Sequence, residues 1–122
     1  MADMISLKYD KIITIDLHNS AITAFYDIPV IHLDGSKIFK PYIKKMRLED
    51  LTVVSPDQGG MTRASKFAKS FPNCQLAMIN KKRIRPNEIA SMELIGDVTN
   101  RVIVVVDDLV DTGGTLCKAA DM

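Results

Sequence analysis

Residues 101–116 constrain the fold more than any other stretch of this chain. Arg101-Val-Ile-Val-Val-Val106 carries five consecutive β-branched residues. A run with no polar alternation suits a strand covered on both faces, in the middle of a sheet. It passes directly into Asp107-Asp108-Leu-Val-Asp111-Thr112-Gly113-Gly114-Thr115, where a helix is expected to begin. A strand that ends in a glycine turn and opens a helix is a βα unit. Open α/β sheets bind ligands at the carboxyl edge of such strands.

Composition narrows the setting. The chain has 122 residues, 47% hydrophobic and 25% charged, which suits one ordinary globular domain with its own core. Sixteen basic residues against fifteen acidic ones leave a formal charge of +1, so nothing in the balance asks for a nucleic-acid or membrane partner. No apolar run approaches the roughly 20 residues that cross a bilayer. Cys74 and Cys117 stand alone, outside any Cys-x-x-Cys motif. They read as reduced thiols of a cytoplasmic protein. The first residues lack the basic and apolar regions of a signal peptide, and none is expected.

The rest of the chain alternates strand and helix. Ala2 to Tyr9 reads as the end of a helix and Ile12–Ile15 as a strand ending in Asp16-Leu17-His18. Residues 19–35 are mixed, with Pro29 and Asp34-Gly35 as turn signals. Ser36 is the expected N-cap of a helix to about Met46. Leu51–Ser55 reads as a strand, 56–60 as a loop, Met61–Ser70 as a helix and Gln75–Ile79 as a strand. A basic loop is expected at 80–87, a short edge strand at 92–95, then the strand at 101–106. The fold class is α/β, a parallel sheet with helices on both faces.

The chemistry concentrates after Val106. Gly113 and Gly114 let the backbone turn tightly and bring amide groups to an anion. The helix start adds partial positive charge, and Thr112 and Thr115 add hydroxyl donors. That cradle suits one phosphate. Asp107 and Asp108 repel a phosphate and suit vicinal sugar hydroxyls or hydrated magnesium. Phosphate and diol together suggest a ribose 5-phosphate. An ordinary capped βα loop with exposed acids is the alternative. Leu109-Val110-Asp111-Thr112-Gly113 loosely matches the aspartic-protease pattern, but a second glycine and a helical stretch follow. A Walker loop is absent, because no Lys follows the glycines.

Residues 105–116, Val-Val-Asp-Asp-Leu-Val-Asp-Thr-Gly-Gly-Thr-Leu, resemble the ribose-phosphate signature of type I phosphoribosyltransferases, and more narrowly that of the ribose-phosphate pyrophosphokinase family. Ile15-Asp16-Leu17-His18 is similar to that family's Asp-Leu-His metal motif, and Phe25-Tyr-Asp-Ile-Pro29 to the segment after it. Val54-Ser55-Pro56-Asp57-Gln-Gly-Gly60 with Arg63-Ala64 is similar to its Ser-Pro-Asp-x-Gly-Gly loop. Lys81-Lys82-Arg83 with Arg85-Pro86-Asn87 is similar to its flexible catalytic loop. Asn19–Ala24 departs from the Gln-rich stretch common after the His. Residues 31–35 depart too, and His32 reads as a surface residue without a family role.

The resemblance implies a phosphoribosyltransferase-like fold, doubly wound in three layers and incomplete here. It implies that 1–38 is the last part of a first domain and 39–122 the beginning of a second. It assigns His18 and Asp57 to the magnesium of Mg–ATP, partly through water, and Lys81 and Arg83 to catalysis. Asp107, Asp108, Asp111, Thr112, Gly113, Gly114 and Thr115 then bind ribose 5-phosphate. The expected reaction gives phosphoribosyl pyrophosphate and AMP, without activity from this chain alone. The expected assembly is a homo-oligomer, a hexamer of dimers. A phosphoribosyltransferase that consumes the product, or a non-catalytic regulatory homologue, is the competing reading. The Asp-Leu-His and Ser-Pro-Asp motifs favour the pyrophosphokinase.

Overall fold

The computed structural model describes residues 1–85 and 88–122, and the side chains of 82–85, 88–90 and 115 lie outside the description. The chain divides into two units, Met1–Phe39 and Lys40–Met122.

The first unit is built on a parallel strand pair. Helix α1 (Ala2–Ser6) leads to β1 (Ile12–Ile15), and a 3₁₀ helix at Ser20–Phe25 leads to β2 (Val30–Leu33). Ile12 pairs with Val30 and Ile15 with Leu33. β2 falls inside the stretch expected to be mixed. Its four residues follow Pro29, too short a run to show alternation. β1 is not covered on both faces: Ile13 and Ile15 are 64% and 65% exposed. Two strands and a few short turns offer too little surface to cover a second face. Helix α2 (Ser36–Lys45) follows. Its first amide is satisfied by Asp34 Oδ1, 2.9 Å from Ser36 N, so the acceptor precedes the expected cap.

The second unit is a four-stranded sheet with helices on both faces. After α2 come β3 (Leu51–Ser55), α3 (Met61–Ala68), β4 (Gln75–Arg85), β5 (Glu88–Ile95), β6 (Val102–Val105) and α4 (Gly114–Ala120). The strand order is β5-β4-β3-β6. β4, β3 and β6 run parallel, and β5 pairs antiparallel with β4. β3 is buried along its whole length. Its period of two sends Val53 to one face and Val54 to the other. Val53 packs with Ala64, Phe67 and Ala68 of α3, and Val104, Val106 and Ile43 close that cluster. Val54 packs with Ala77 and Ile79, joined by Ala119 of α4. The chain is therefore α/β with parallel-dominated sheets, and this unit has three layers.

Two expectations are corrected. The basic segment after Ile79 is not a loop up to Arg85. β4 continues through it, with Lys81 opposite Met92 and Arg83 opposite Ile89, and with register shifts on both sides of Arg83. A strand arm that extends past the core needs no apolar face, so its Lys and Arg residues read as loop. Pro86 and Asn87 lie outside the described residues. The other correction concerns the most buried strand, which is β3. Three of the four residues of β6 are exposed, and β6 stands at the edge of the described sheet.

Candidate functional site

The parallel arrangement brings three strand ends to one edge. Val54 lies opposite both Ala77 of β4 and Val105 of β6. The loop after β3, the arm of β4 and the loop after β6 therefore leave the sheet side by side. This is the carboxyl edge, where side chains no longer pack into the core and can meet a ligand.

Asp57 is held by its own loop. Ser55 Oγ donates to the Asp57 carbonyl at 2.7 Å, and the Gly60 amide donates to Asp57 Oδ1 at 2.9 Å. Oδ1 is thus engaged, and Oδ2 is the oxygen 4.0 Å from Lys81 Nζ. Lys81 has odd parity with Ala77 and Ile79, so it shares their inward face of β4. Its side chain is only 7% exposed. The lysine expected in a basic loop is instead a nearly buried cation of β4 beside a carboxylate. Burial of an ammonium is costly unless a counter-charge lies close, and Asp57 supplies one.

The two acids after β6 differ in their surroundings. Asp107 Oδ1 accepts the Asp108 amide at 2.9 Å. Partial burial pushes the Asp107 carboxyl above the ordinary range, and the charges of Asp108 and Asp57 add to the rise against that hydrogen bond. Asp108 is 6% exposed at its side chain, and its Oδ2 accepts from Arg63 Nη2 at 2.7 Å. Arg63 stands in the first turn of α3, whose Ala64 and Phe67 anchor the helix on β3.

Asp111 and Thr112 are exposed beyond these acids. Gly113 has φ +74°, a left-handed conformation that costs an L side chain roughly 1–2 kcal/mol. It turns the chain into α4, and Thr112 Oγ1 accepts the Gly114 amide at 3.4 Å. The Thr115 and Arg83 side chains lie outside the described residues.

His18 belongs to the first unit and is exposed, just past β1. The chain reaches it through Asp16, which has φ +48° and accepts the Gly35 amide on Oδ1 at 3.1 Å. His32 is exposed, and its Nε2 accepts the Leu17 amide at 3.1 Å.

The second unit therefore brings together Asp57, Lys81, Asp107 and Asp108 at one edge, with Asp111–Gly114 continuing from it. Among the described residues no group of three or more His, Cys, Asp and Glu is arranged to hold a metal unaided. A magnesium ion is held by one or two carboxylates together with water and substrate phosphates, and Asp57 and Asp107 are carboxylates of that kind. No helix among the described residues is long and apolar enough to cross a membrane.

In the sequence Arg63 stands only as one letter of the Ser-Pro-Asp motif, without a task of its own. A signal was available: a cation in the first turn of a helix works against the helix dipole, so its placement has to serve a contact elsewhere. Ser55 and Gly60, which shape the Asp57 loop, were likewise legible only as motif letters.

The profile of the phosphoribosyl transferase domain matches residues 21–122. Ribose-phosphate pyrophosphokinase of Porphyromonas gingivalis is 46% identical over 124 residues, covering 100% of this chain and 39% of the relative. That of Vibrio cholerae is 46% identical over 122 residues, covering 99% and 39%. That of Gloeobacter violaceus is 44% identical over 111 residues, covering 91% and 33%. The crystal structure of phosphoribosylpyrophosphate synthetase from Mycobacterium smegmatis superposes with a TM-score of 0.87 at 37% identity, over 98% of this chain and 39% of that one. The chain spans between a third and two fifths of the length of these relatives.

Proposed function

As the chain belongs to the phosphoribosyl transferase domain family, we propose that it carries the sugar-phosphate edge of a ribose-phosphate pyrophosphokinase. The reaction transfers the pyrophosphoryl group of Mg–ATP to the anomeric hydroxyl of ribose 5-phosphate. The bond from the anomeric oxygen to the β-phosphorus forms and the bond from that phosphorus to the α-phosphate oxygen breaks, leaving phosphoribosyl pyrophosphate and AMP. The observation that carries this reading is the convergence of Asp57, Lys81 and Asp107 at the carboxyl edge, beside a left-handed glycine turn. The similarity to named pyrophosphokinases supports it.

In this reading Asp111, Thr112, Gly113, Gly114 and Thr115 bind the 5-phosphate, and Asp107 accepts hydrogen bonds from sugar hydroxyls. Lys81 stabilises the negative charge that gathers on oxygens around the attacked phosphorus, and Arg83 does so in two-pronged fashion. Being nearly buried, Lys81 acts in a medium where its charge is weakly screened. Asp57 would hold magnesium, with water completing its shell, and its charge is one that Asp107 senses; the family resemblance assigns His18 to magnesium as well. When bound, magnesium neutralises phosphate oxygens and aligns the polyphosphate. Positioning then does the remaining work, and the hydroxyl proton passes to solvent or phosphate.

Residues 1–38 and 39–122 would be the end of one such domain and the start of the next, in a cytoplasmic homo-oligomer that assembles hexamers from dimers. The test is AMP formation from ATP and ribose 5-phosphate by the full-length gene product, read in a coupled assay. AMP formed in step with phosphoribosyl pyrophosphate is the expected result. Binding of ribose 5-phosphate with no AMP would refute the assignment.

A further inference from the structure

Asp107 and Asp108 lie in the loop that follows β6, and their surroundings differ. Here Asp108 is the one turned inward, at 6% exposure, while Asp107 is half-buried. An inward carboxylate needs a counter-charge, and a guanidinium reaches it from a different element, 45 residues away in sequence. The Arg63 Nη2–Asp108 Oδ2 distance of 2.7 Å is that of a charge-assisted hydrogen bond.

We propose that Arg63 is a positioning residue for the sugar site: by fixing Asp108 inward, it leaves Asp107 as the carboxylate that reads the vicinal hydroxyls of the sugar. The mount is rigid, since α3 is anchored by Ala64, Phe67 and Ala68 in the core cluster of β3. The link from Asp108 to Asp107 is short, because the Asp108 amide donates to Asp107 Oδ1. Motion of the Asp108 backbone therefore moves the Asp107 carboxylate directly. This assignment rests on the ribose 5-phosphate reading above.

The experiment compares binding of ribose 5-phosphate and 2-deoxyribose 5-phosphate by calorimetry, in the full-length gene product and its Arg63→Met and Arg63→Lys variants. A carboxylate that reads the diol gives the wild type at least a tenfold preference for the ribose form. Arg63→Met should bring that preference close to one, and Arg63→Lys should recover part of it, since the shorter cation still offers a donor. A merely structural arginine would lower melting temperature and overall affinity but leave the preference at its wild-type value, and that result overturns the proposal. Should Arg63→Met fail to fold, Arg63→Lys alone decides: an unchanged preference overturns, a reduced one supports. A wild type that binds neither sugar phosphate sinks the ribose 5-phosphate reading itself, a different failure from an unchanged preference in the variants.

Discussion

Gly60 offers a sharp test of how the Asp57 loop is built. Its backbone is ordinary, with φ −79°, so no conformational argument demands glycine there. The demand is spatial. A Cβ at this position would lie 2.7 Å from Ser55 Oγ, closer than any normal contact, and that hydroxyl is itself engaged with the Asp57 carbonyl. Gly60→Ala must therefore push the Ser55 hydroxyl off its acceptor. The lost hydrogen bond contributes about 1 kcal/mol, and crowding in a packed site adds about 1 kcal/mol or more. A total near 2 kcal/mol corresponds to roughly 4–8 °C of melting temperature for a domain of 150–250 residues. Thermal unfolding of the full-length gene product measures it, with Ser55→Ala and the double variant beside it. Ser55→Ala alone should cost about 1 kcal/mol. Because the offending oxygen is then gone, adding Gly60→Ala should cost almost nothing further. Two costs that simply add would refute the reasoning, since the Cβ–Oγ conflict would not be what requires glycine.

Lys81→Ala should lower kcat by about 100-fold or more while the KM for either substrate changes little, as expected for a cation that acts on developing charge; a large rise in KM at unchanged kcat would contradict this. Asp107→Asn should stabilise the fold at neutral pH while weakening sugar-phosphate binding, because the raised carboxyl costs stability whenever it is ionised. The sign follows from the folded state holding the proton more tightly than the unfolded one. The cost is full above the raised value and vanishes as pH falls below the ordinary carboxylate pKa of about 3.9. The gain in melting temperature should therefore fade on acidification. A gain that is the same at pH 4 and pH 7 would point to packing instead.

Much of the fold was legible because it is local. Ile12–Ile15 and Leu51–Ser55 are strands with the bounds that their β-branched runs imply, and α3 begins where the Gly-Gly pair ends. The errors share a cause, in that burial depends on neighbours far away in sequence. Val102–Val105 is as apolar as β3, yet it lies at the edge of the described sheet. Lys81 is as polar as any loop residue, yet the parity of β4 turns it inward toward Asp57. Composition alone cannot tell an apolar edge strand from a central one, or a buried lysine from a solvated one.

The candidate site shows the same limit at the level of single atoms. Its residue types and their order stand in the sequence, and the resemblance of several motifs to one family gave them roles that the strand, acids and glycine turn alone do not. Which oxygen does what could not be read there. Asp57 Oδ1 is engaged by the Gly60 amide, Asp107 Oδ1 by the Asp108 amide and Asp108 Oδ2 by Arg63, so three carboxylate oxygens that look available in the sequence are already engaged. The oxygens of these acids thus divide into those that hold the edge together and those left to meet a ligand. That division follows from hydrogen bonds within the loops and from one arginine mounted on a neighbouring helix. It also explains why the site needs more acids than a sugar and a hydrated ion would require, and why a cation stands in the first turn of α3, where the helix dipole alone would disfavour it.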